Sequence, residues 1–191
     1  MFARGASILT IVASLLVAAP AGAAECVGIK FPDQLALDGK TLALNGLGLR
    51  EATMLKVDVY VAALYLEQTS PDPGIILGAE QTLRFVMRFV RDVERDDIVE
   101  AFEDGYEDAA ENLDALRDRI ATLNGWMPAI SDGDRMAFTY RPGKGLEVQV
   151  GDTVKGTIPG ADFARATLAI WLGDEPPNPG IKTGLLGGAC G

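Results

Sequence analysis

The sequence predicts a single α+β domain, an open-faced β-sandwich in which an antiparallel β-sheet carries helices on one face. Two observations predict this fold class. Apolar side chains alternate with period two in several segments joined by short turns, and they recur every three or four residues in two other segments. Strands that follow one another in hairpins form antiparallel sheets, and the helices between them can cover one face.

The strand pattern is clearest in residues 41–67. Tyr60 lies in the middle of this segment and is expected on the face opposite to its apolar neighbours. Residues 83–90, 136–140 and 146–150 alternate in the same way, which predicts further strands. The apolar face of the first segment consists of Leu55, Val57, Val59, Val61 and Ala63.

Two helices are predicted from apolar residues at helical spacing. The first is a long amphipathic helix from Asp96 to Leu123, and the second covers residues 163–171 and ends at Gly173. The long helix is expected to pack on the sheet through Phe102, Tyr106, Leu113 and Ile120.

The outer face of the long helix is acidic. This stripe is either a cation site or a solvated helix face. Because the sequence contains no acidic loop of the EF-hand kind, we favour the solvated face. The stripe consists of Glu100, Glu103, Asp104, Glu107, Asp108 and Glu111.

Residues 1–24 have the features of an export signal. Arg4 is their only charged residue, a short apolar run follows, and small residues in an A-x-A pattern predict cleavage after Ala23 or Ala24. A retained anchor helix is the alternative, but the apolar run is shorter than the roughly 20 residues that a membrane span needs. We therefore expect residues 25–191 to form one domain in the periplasm or outside the cell, with no membrane span after cleavage.

Composition excludes several kinds of site. The chain has 17 basic and 27 acidic residues, a net charge of −10, and loss of Arg4 with the signal makes it −11. Such an acidic chain gives no electrostatic indication of nucleic acid or an anionic lipid surface as a partner. The absence of histidine excludes histidine-based triads, general bases and metal ligands. We expect no metal and no cofactor.

Two cysteines, Cys26 and Cys190, enclose nearly the whole mature chain. In an oxidising compartment an even number of cysteines most simply forms disulfides, so we expect one between these two. The alternative is a pair of free thiols near frayed termini.

Arg50 is the first candidate binding residue. It follows a Gly-Leu-Gly sequence at residues 46–48, which we expect to be a turn before the strand with Asp58 and Tyr60. This sequence lacks the third glycine of a nucleotide loop and precedes a strand. An arginine and a tyrosine in an apolar cleft can hold a carboxylate, because the guanidinium donates two parallel hydrogen bonds and the phenol a third. The residues alone leave open that Arg50 pairs with Asp58 or Glu51 instead.

Several segments resemble the chalcone isomerase-like family, over about residues 33 to 187. The resemblance begins with LNGLGLR at residues 44–50 and KVDVYVAALYLE at residues 56–67. Segments similar to an exported bacterial branch of the family are YRPGKG at residues 140–145, GTIPGADFA at residues 156–164 and IWLGD at residues 170–174.

The resemblance implies an antiparallel sheet, helices on one side and a ligand cleft between them. The family includes plant enzymes that close chalcones to flavanones, and non-catalytic relatives that bind fatty acids through an arginine and a tyrosine. Arg50 matches the arginine of both groups, and Tyr60 matches the tyrosine of the binders. The tyrosine and asparagine of the isomerases correspond here to about Asp97 and Asp104, and a further hydroxyl residue corresponds to about Ile170.

We therefore expect a non-catalytic binder of a fatty acid or similar small apolar carboxylate, held by Arg50 and Tyr60. Two alternatives stay open. One is an intramolecular lyase of the chalcone isomerase type. The other is an accessory or assembly protein that has no small ligand and docks a partner through Trp171, Leu185 and Leu186. An open apolar cleft would count against this second alternative.

Overall fold

The computed structural model describes residues 22–52 and 55–190. The predicted signal over residues 1–24 therefore lies almost entirely outside the described residues. The strands are β1 (Ala23–Cys26), β2 (Ile29–Pro32), β3 (Gln34–Leu37), β4 (Lys40–Ala52), β5 (Val57–Leu66), β6 (Leu83–Phe89), β7 (Arg135–Arg141), β8 (Gly145–Val150) and β9 (Thr153–Ile158). The α-helices are α1 (Pro73–Gly78), α2 (Arg95–Ala109), α3 (Arg117–Trp126), α4 (Ala161–Leu172) and α5 (Pro179–Leu185).

Strands β3 to β9 form one seven-stranded sheet in which each strand pairs antiparallel with the next strand in sequence. The short helix α1 lies in the connection from β5 to β6, and α2 and α3 lie in the connection from β6 to β7. The predicted α+β class with an antiparallel sheet is confirmed.

The two faces of the sheet are covered differently. The helices bury one face in a large apolar core, with Phe85 and Phe138 of the sheet against Trp171 of α4. On the other face, the two-stranded β1–β2 hairpin covers β4 and β5, where Phe31 packs in a smaller cluster with Val61. Val86 of β6 and Ala137 of β7 also belong to this smaller cluster, while most other residues of β6 to β8 on that face are polar.

The predicted long helix is wrong in its length. Helix α2 ends at Ala109, and α3 begins only at Arg117, after a single 3₁₀ turn. The carboxamide of Asn112 accepts a hydrogen bond from the Ala115 backbone N–H at 3.2 Å. Such a bond competes with the helical hydrogen-bond pattern and starts a new turn. The residues predicted to pack on the sheet nevertheless do so, since Phe102, Tyr106 and Ile120 are buried and Leu113 is half-buried.

Two details of the β4–β5 hairpin differ from the alternation pattern. Leu55 lies in a turn before β5 and is 85% exposed, so it is not part of the apolar face. A register shift between Arg50 and Glu51 leaves Val59 without a partner opposite it. At such a β-bulge the alternation is interrupted. Val59 therefore lines the same cavity as Tyr60, and not the opposite face.

The Gly-Leu-Gly sequence is inside strand β4 and is not a turn. A Cβ atom on Gly46 would lie 2.1 Å from the Gly184 carbonyl oxygen, and one on Gly48 would lie 2.3 Å from the Ile181 carbonyl oxygen. The two glycines therefore let the backbone of α5 lie directly on the strand. This contact brings the segment before α5 next to Arg50.

Candidate functional site

A cavity of about 460 Å³ lies between the sheet and helices α2 and α4. Its volume is in the range of pockets that hold small organic ligands. Strands β4 to β7 supply one wall, the two helices supply the other, and the segment before α5 closes one side. The apolar part of the lining includes Val59, Met87, Phe89, Ile98, Phe102, Met136, Ile170 and Trp171.

Both predicted binding residues line this cavity. Arg50 and Tyr60 are direct partners in the antiparallel register of β4 and β5, beside the bulge. Directly opposite residues in such a pair have Cβ atoms about 5 Å apart, so the guanidinium and the phenol project side by side from the sheet. The predicted juxtaposition of Arg50 and Tyr60 is present in the structure.

The Arg50 guanidinium is held by backbone carbonyls. Its Nη1 group donates to the carbonyl oxygens of Glu51 and Pro177, the latter at 3.0 Å. Arg50 forms no ion pair within residues 22–52 and 55–190, and the Glu51 carboxylate instead lies 3.7 Å from the Lys56 ammonium. The alternative pairing of Arg50 with Asp58 or Glu51 is therefore not what the structure contains. Nε and Nη2 are left to donate to a ligand.

Asn178 fixes the backbone on both sides of Arg50. Its side-chain amide donates to the Leu49 carbonyl oxygen at 3.0 Å, and its side-chain oxygen accepts from the Glu51 N–H at 3.2 Å. The Asn178 side chain thus makes the hydrogen bonds to β4 that the backbone of a neighbouring strand would otherwise make. Together with the Pro177 carbonyl, Asn178 determines where the guanidinium points.

The Tyr60 phenol has a fixed hydrogen-bond direction. Trp171 Nε1 donates to the Tyr60 oxygen at 2.8 Å, and the Tyr60 ring packs edge-on against Phe89. Desolvation raises the pKa of Tyr60 to about 12, although the hydrogen bond from Trp171 and the charge of Arg50 oppose this shift. The phenol is therefore protonated at neutral pH, and because its oxygen already accepts from Trp171, its own proton can be donated to a ligand.

The cavity lining also contains several acidic residues. Asp97 and Asp104, the positions that correspond to the isomerase tyrosine and asparagine, both line the cavity. Ile170, at the position of a further isomerase hydroxyl, also lines it and offers no polar group. Because acids repel an anionic group, these carboxylates disfavour an anionic headgroup beside them, whereas Arg50 favours one. The other charged lining residues are Arg91, Asp92, Asp108 and Glu175.

Two contributors to the site were not found from the sequence. Neither Trp171 nor Asn178 was among the predicted binding residues. Trp171 is buried, and its indole N–H reaches Tyr60, 111 residues earlier in the chain. A buried Trp N–H usually has a partner, which is a signal that one exists. Nothing in the local sequence identifies that partner.

The described residues contain neither a candidate metal site nor a helix that could cross a membrane. Across residues 22–52 and 55–190, no group of three or more Cys, Asp or Glu side chains is arranged to hold a metal ion. In the same residues, no helix is both long and apolar enough to cross a membrane.

Comparisons with known proteins agree with this architecture. The fold is similar to the crystal structure of a fatty-acid binding protein from Arabidopsis thaliana, with a TM-score of 0.67 and 17% sequence identity, over 86% of this chain and 96% of that chain. None of the curated protein sequences matches this chain. The sequence model described as chalcone isomerase-like matches residues 23–187. The chain therefore belongs to the chalcone isomerase-like family.

Proposed function

We propose that this protein is an exported, non-catalytic binder of a fatty acid or a similar small apolar carboxylate. The observation that carries the proposal is the position of Arg50 and Tyr60, side by side in the wall of a largely apolar cavity of about 460 Å³. The guanidinium and the phenol hold the carboxylate, and the cavity wall takes the apolar chain. Each buried methylene contributes about 0.8 kcal/mol, so one anchored end is enough for a long chain.

The positions that correspond to the further isomerase groups carry no hydrogen-bond donor in this site. Cyclisation of a phenolate requires donors where negative charge develops. Asp97 and Asp104 line the cavity and Ile170 is apolar, so beyond Arg50 and Tyr60 these positions offer acceptors or no polar group. The lining therefore supports binding and not chalcone cyclisation.

An accessory role without a ligand has less support. Trp171 is 2% exposed and Leu185 is fully buried, so neither is available to dock a partner. The cavity is also open and not filled by side chains. We assign these residues to the core.

The first experiment is extraction and mass spectrometry of lipid from the purified protein and its Arg50→Ala variant. Arg117→Ala is the matched control, because Arg117 is exposed and pairs with Asp114 away from the cavity. We expect a fatty acid in the wild type and the control, and its loss from Arg50→Ala. A ligand that stays bound without Arg50 would contradict the carboxylate clamp. Chalcone turnover above background that Arg50→Ala abolishes would instead favour the isomerase.

Export is proposed from residues 1–24 and is supported by the disulfide between Cys26 and Cys190, since disulfides persist in oxidising compartments. Cell fractionation followed by N-terminal sequencing tests it. We expect a mature chain in the periplasm or medium that begins after Ala23 or Ala24. A cytoplasmic protein with an intact N-terminus would contradict export.

A further inference from the structure

The face of the sheet opposite the helices carries a group of arginines on β6 and β7. Leu83, Phe85 and Met87 of β6 face the helix core, so Arg84 and Arg88 project from the opposite face. On β7, Arg135 shares that face because Met136 and Phe138 point into the helix core. These three residues are called the arginine face below.

Arg88 and Arg135 are direct partners in the antiparallel register of β6 and β7. Their Cβ atoms are therefore about 5 Å apart, and like charges at this position destabilise a sheet. Arg88 is exposed and forms no hydrogen bond or ion pair within the described residues. Arg135 donates to Asp152, but that carboxylate is fully exposed to solvent and such pairs contribute little.

Arg84 extends across β7 toward the same place. Its guanidinium donates to Thr139 Oγ1 and to Gln149 Oε1, each at 2.8 Å, and Gln149 is the register partner of Ala137. Gln149 and Arg135 in turn donate to the same carbonyl oxygen, that of Gly151. Arg84 is partly buried and is held by neutral acceptors, with no carboxylate within ion-pair distance among the described residues.

Apart from Asp152, which pairs with Arg135, no acid forms an ion pair with the arginine face within the described residues. Glu147 lies on the same face, but it pairs with Arg141 at 3.2 Å, and Asp38 pairs with Arg141 as well. Burial lowers the pKa of Arg84, and the charges of Arg135 and Arg141 lower it further, against the opposing effect of Glu147. Arg135 and Arg141 are thus close enough to act on the charge of Arg84. Arg84 and Arg88 therefore have no ion-pair partner among the described residues, although the chain has 27 acidic residues.

We propose that the arginine face is a binding site for a phosphate-type oxyanion, which Arg88 binds together with the neighbouring Arg84 and Arg135. A phosphate group carries nearly two negative charges at neutral pH and accepts several hydrogen bonds, which suits adjacent guanidinium forks better than one carboxylate does. The phosphate belongs either to a soluble phosphate compound or to a lipid headgroup. The site is separate from the cavity, which lies on the other side of the sheet.

Thermal unfolding with and without inorganic phosphate, at constant ionic strength, tests this site. We expect phosphate to raise the Tm of the wild type. Arg88→Gln should have a higher Tm than the wild type without phosphate, because the repulsion with Arg135 is relieved, and its apparent phosphate affinity should fall about tenfold. An arginine with a purely structural role would instead lower the Tm when replaced.

Two control variants locate the effect. Arg117→Gln removes an exposed arginine on α3, and Arg50→Ala removes the guanidinium in the cavity, so both should keep the phosphate-dependent rise in Tm. The proposal is overturned if phosphate has no effect beyond that of chloride at equal ionic strength, or if Arg88→Gln and Arg135→Gln keep the full effect.

A parallel measurement identifies the source of the phosphate. Sedimentation with vesicles of phosphatidylglycerol in phosphatidylcholine is compared with phosphatidylcholine alone. Binding to the anionic vesicles that Arg88→Gln weakens assigns the site to a lipid headgroup. A response to inorganic phosphate without vesicle binding assigns it to a soluble compound. Both results support the oxyanion site.

Discussion

At the scale of single residues, the site depends on donors whose directions are fixed before any ligand binds. Carbonyl oxygens hold Arg50, and Trp171 holds the oxygen of Tyr60. Such preorganisation reduces the entropy lost when a ligand is bound. The same contacts make the contribution of each residue separately testable.

Tyr60→Phe removes one ligand donor and keeps the aromatic contact with Phe89. Because a hydrogen bond to a charged group contributes about 1.5–3 kcal/mol, we expect fatty-acid affinity to fall by roughly tenfold to a hundredfold. Since the pKa of Tyr60 is raised to about 12, the phenol stays protonated and wild-type binding should not weaken between pH 7 and pH 10. Titration calorimetry measures both. Unchanged affinity in Tyr60→Phe would show that the phenol does not contact the ligand.

Asn178→Ala tests whether the backbone around Arg50 positions its guanidinium. The substitution removes the hydrogen bonds to Leu49 and Glu51 without touching the cavity lining. We expect affinity for a fatty acid to fall by about tenfold, less than in Arg50→Ala, while affinity for the fatty alcohol of the same length is kept. An equal loss for acid and alcohol would mean that Asn178 only stabilises the fold.

The binding residues could be predicted at this scale, but their supports could not. Arg50 and Tyr60 are close in sequence, and strand pairing alone places them together. Asn178 and Trp171 lie more than 100 residues from the groups they contact. Side-chain hydrogen bonds over such separations depend on how α4 and α5 are placed, which local patterns do not determine.

At the scale of elements, the glycines of β4 decide where α5 lies. A Cβ on Gly48 would meet backbone atoms of α5, and backbone cannot move aside as a flexible side chain can. This close approach is also what brings Pro177 to Arg50.

Gly48→Ala is therefore expected to destabilise the protein by about 1–3 kcal/mol and to weaken ligand binding. Gly125→Ala is the control, because Gly125 is inside α3 with nothing within 4 Å of an added Cβ, and alanine is a better helix former there. Urea denaturation of both variants gives the comparison. A Gly48→Ala protein as stable as the wild type would show that α5 does not depend on this contact.

Element boundaries were harder to predict than element types. Periodicity found β5, β6, β7, β8 and α4, because apolar residues recur along most of each element at the spacing of a strand or a helix. It joined α2 to α3, because the apolar spacing continues through a non-helical segment where Asn112 binds the backbone instead. It also placed Val59 and Tyr60 on opposite faces of the sheet. The β-bulge that puts them on the same face cannot be recognised from the alternation of apolar and polar residues.

At the scale of the whole molecule, the chain is closed by one disulfide and its charge is unevenly distributed. Cys26 on β1 and Cys190 beyond α5 are joined, with Cα atoms 6.0 Å apart and a separation of 164 positions in sequence. The predicted disulfide is thus present. The arginine face could not be predicted from the net charge of −10, because a net charge does not show where positive and negative residues lie in the sheet.

Removal of the disulfide should destabilise the protein strongly. For Cys190→Ser we expect a loss of about 2–5 kcal/mol in the free energy of unfolding, since a long loop restricts the unfolded chain. Urea denaturation of the variant, and of the wild type with and without reductant, measures it. Intact mass without reductant should be two hydrogens lower than that of the reduced chain. Equal stability with and without reductant would contradict a structural role for this bond.

The most direct test of the central claim is the affinity of the protein for a fatty acid compared with the fatty alcohol of equal chain length, in the wild type and in Arg50→Ala. The two ligands bury the same apolar chain and differ in the group that meets Arg50. We expect the wild type to prefer the acid by roughly tenfold or more, and Arg50→Ala to bind both alike. Equal affinity for acid and alcohol in the wild type would contradict the carboxylate clamp.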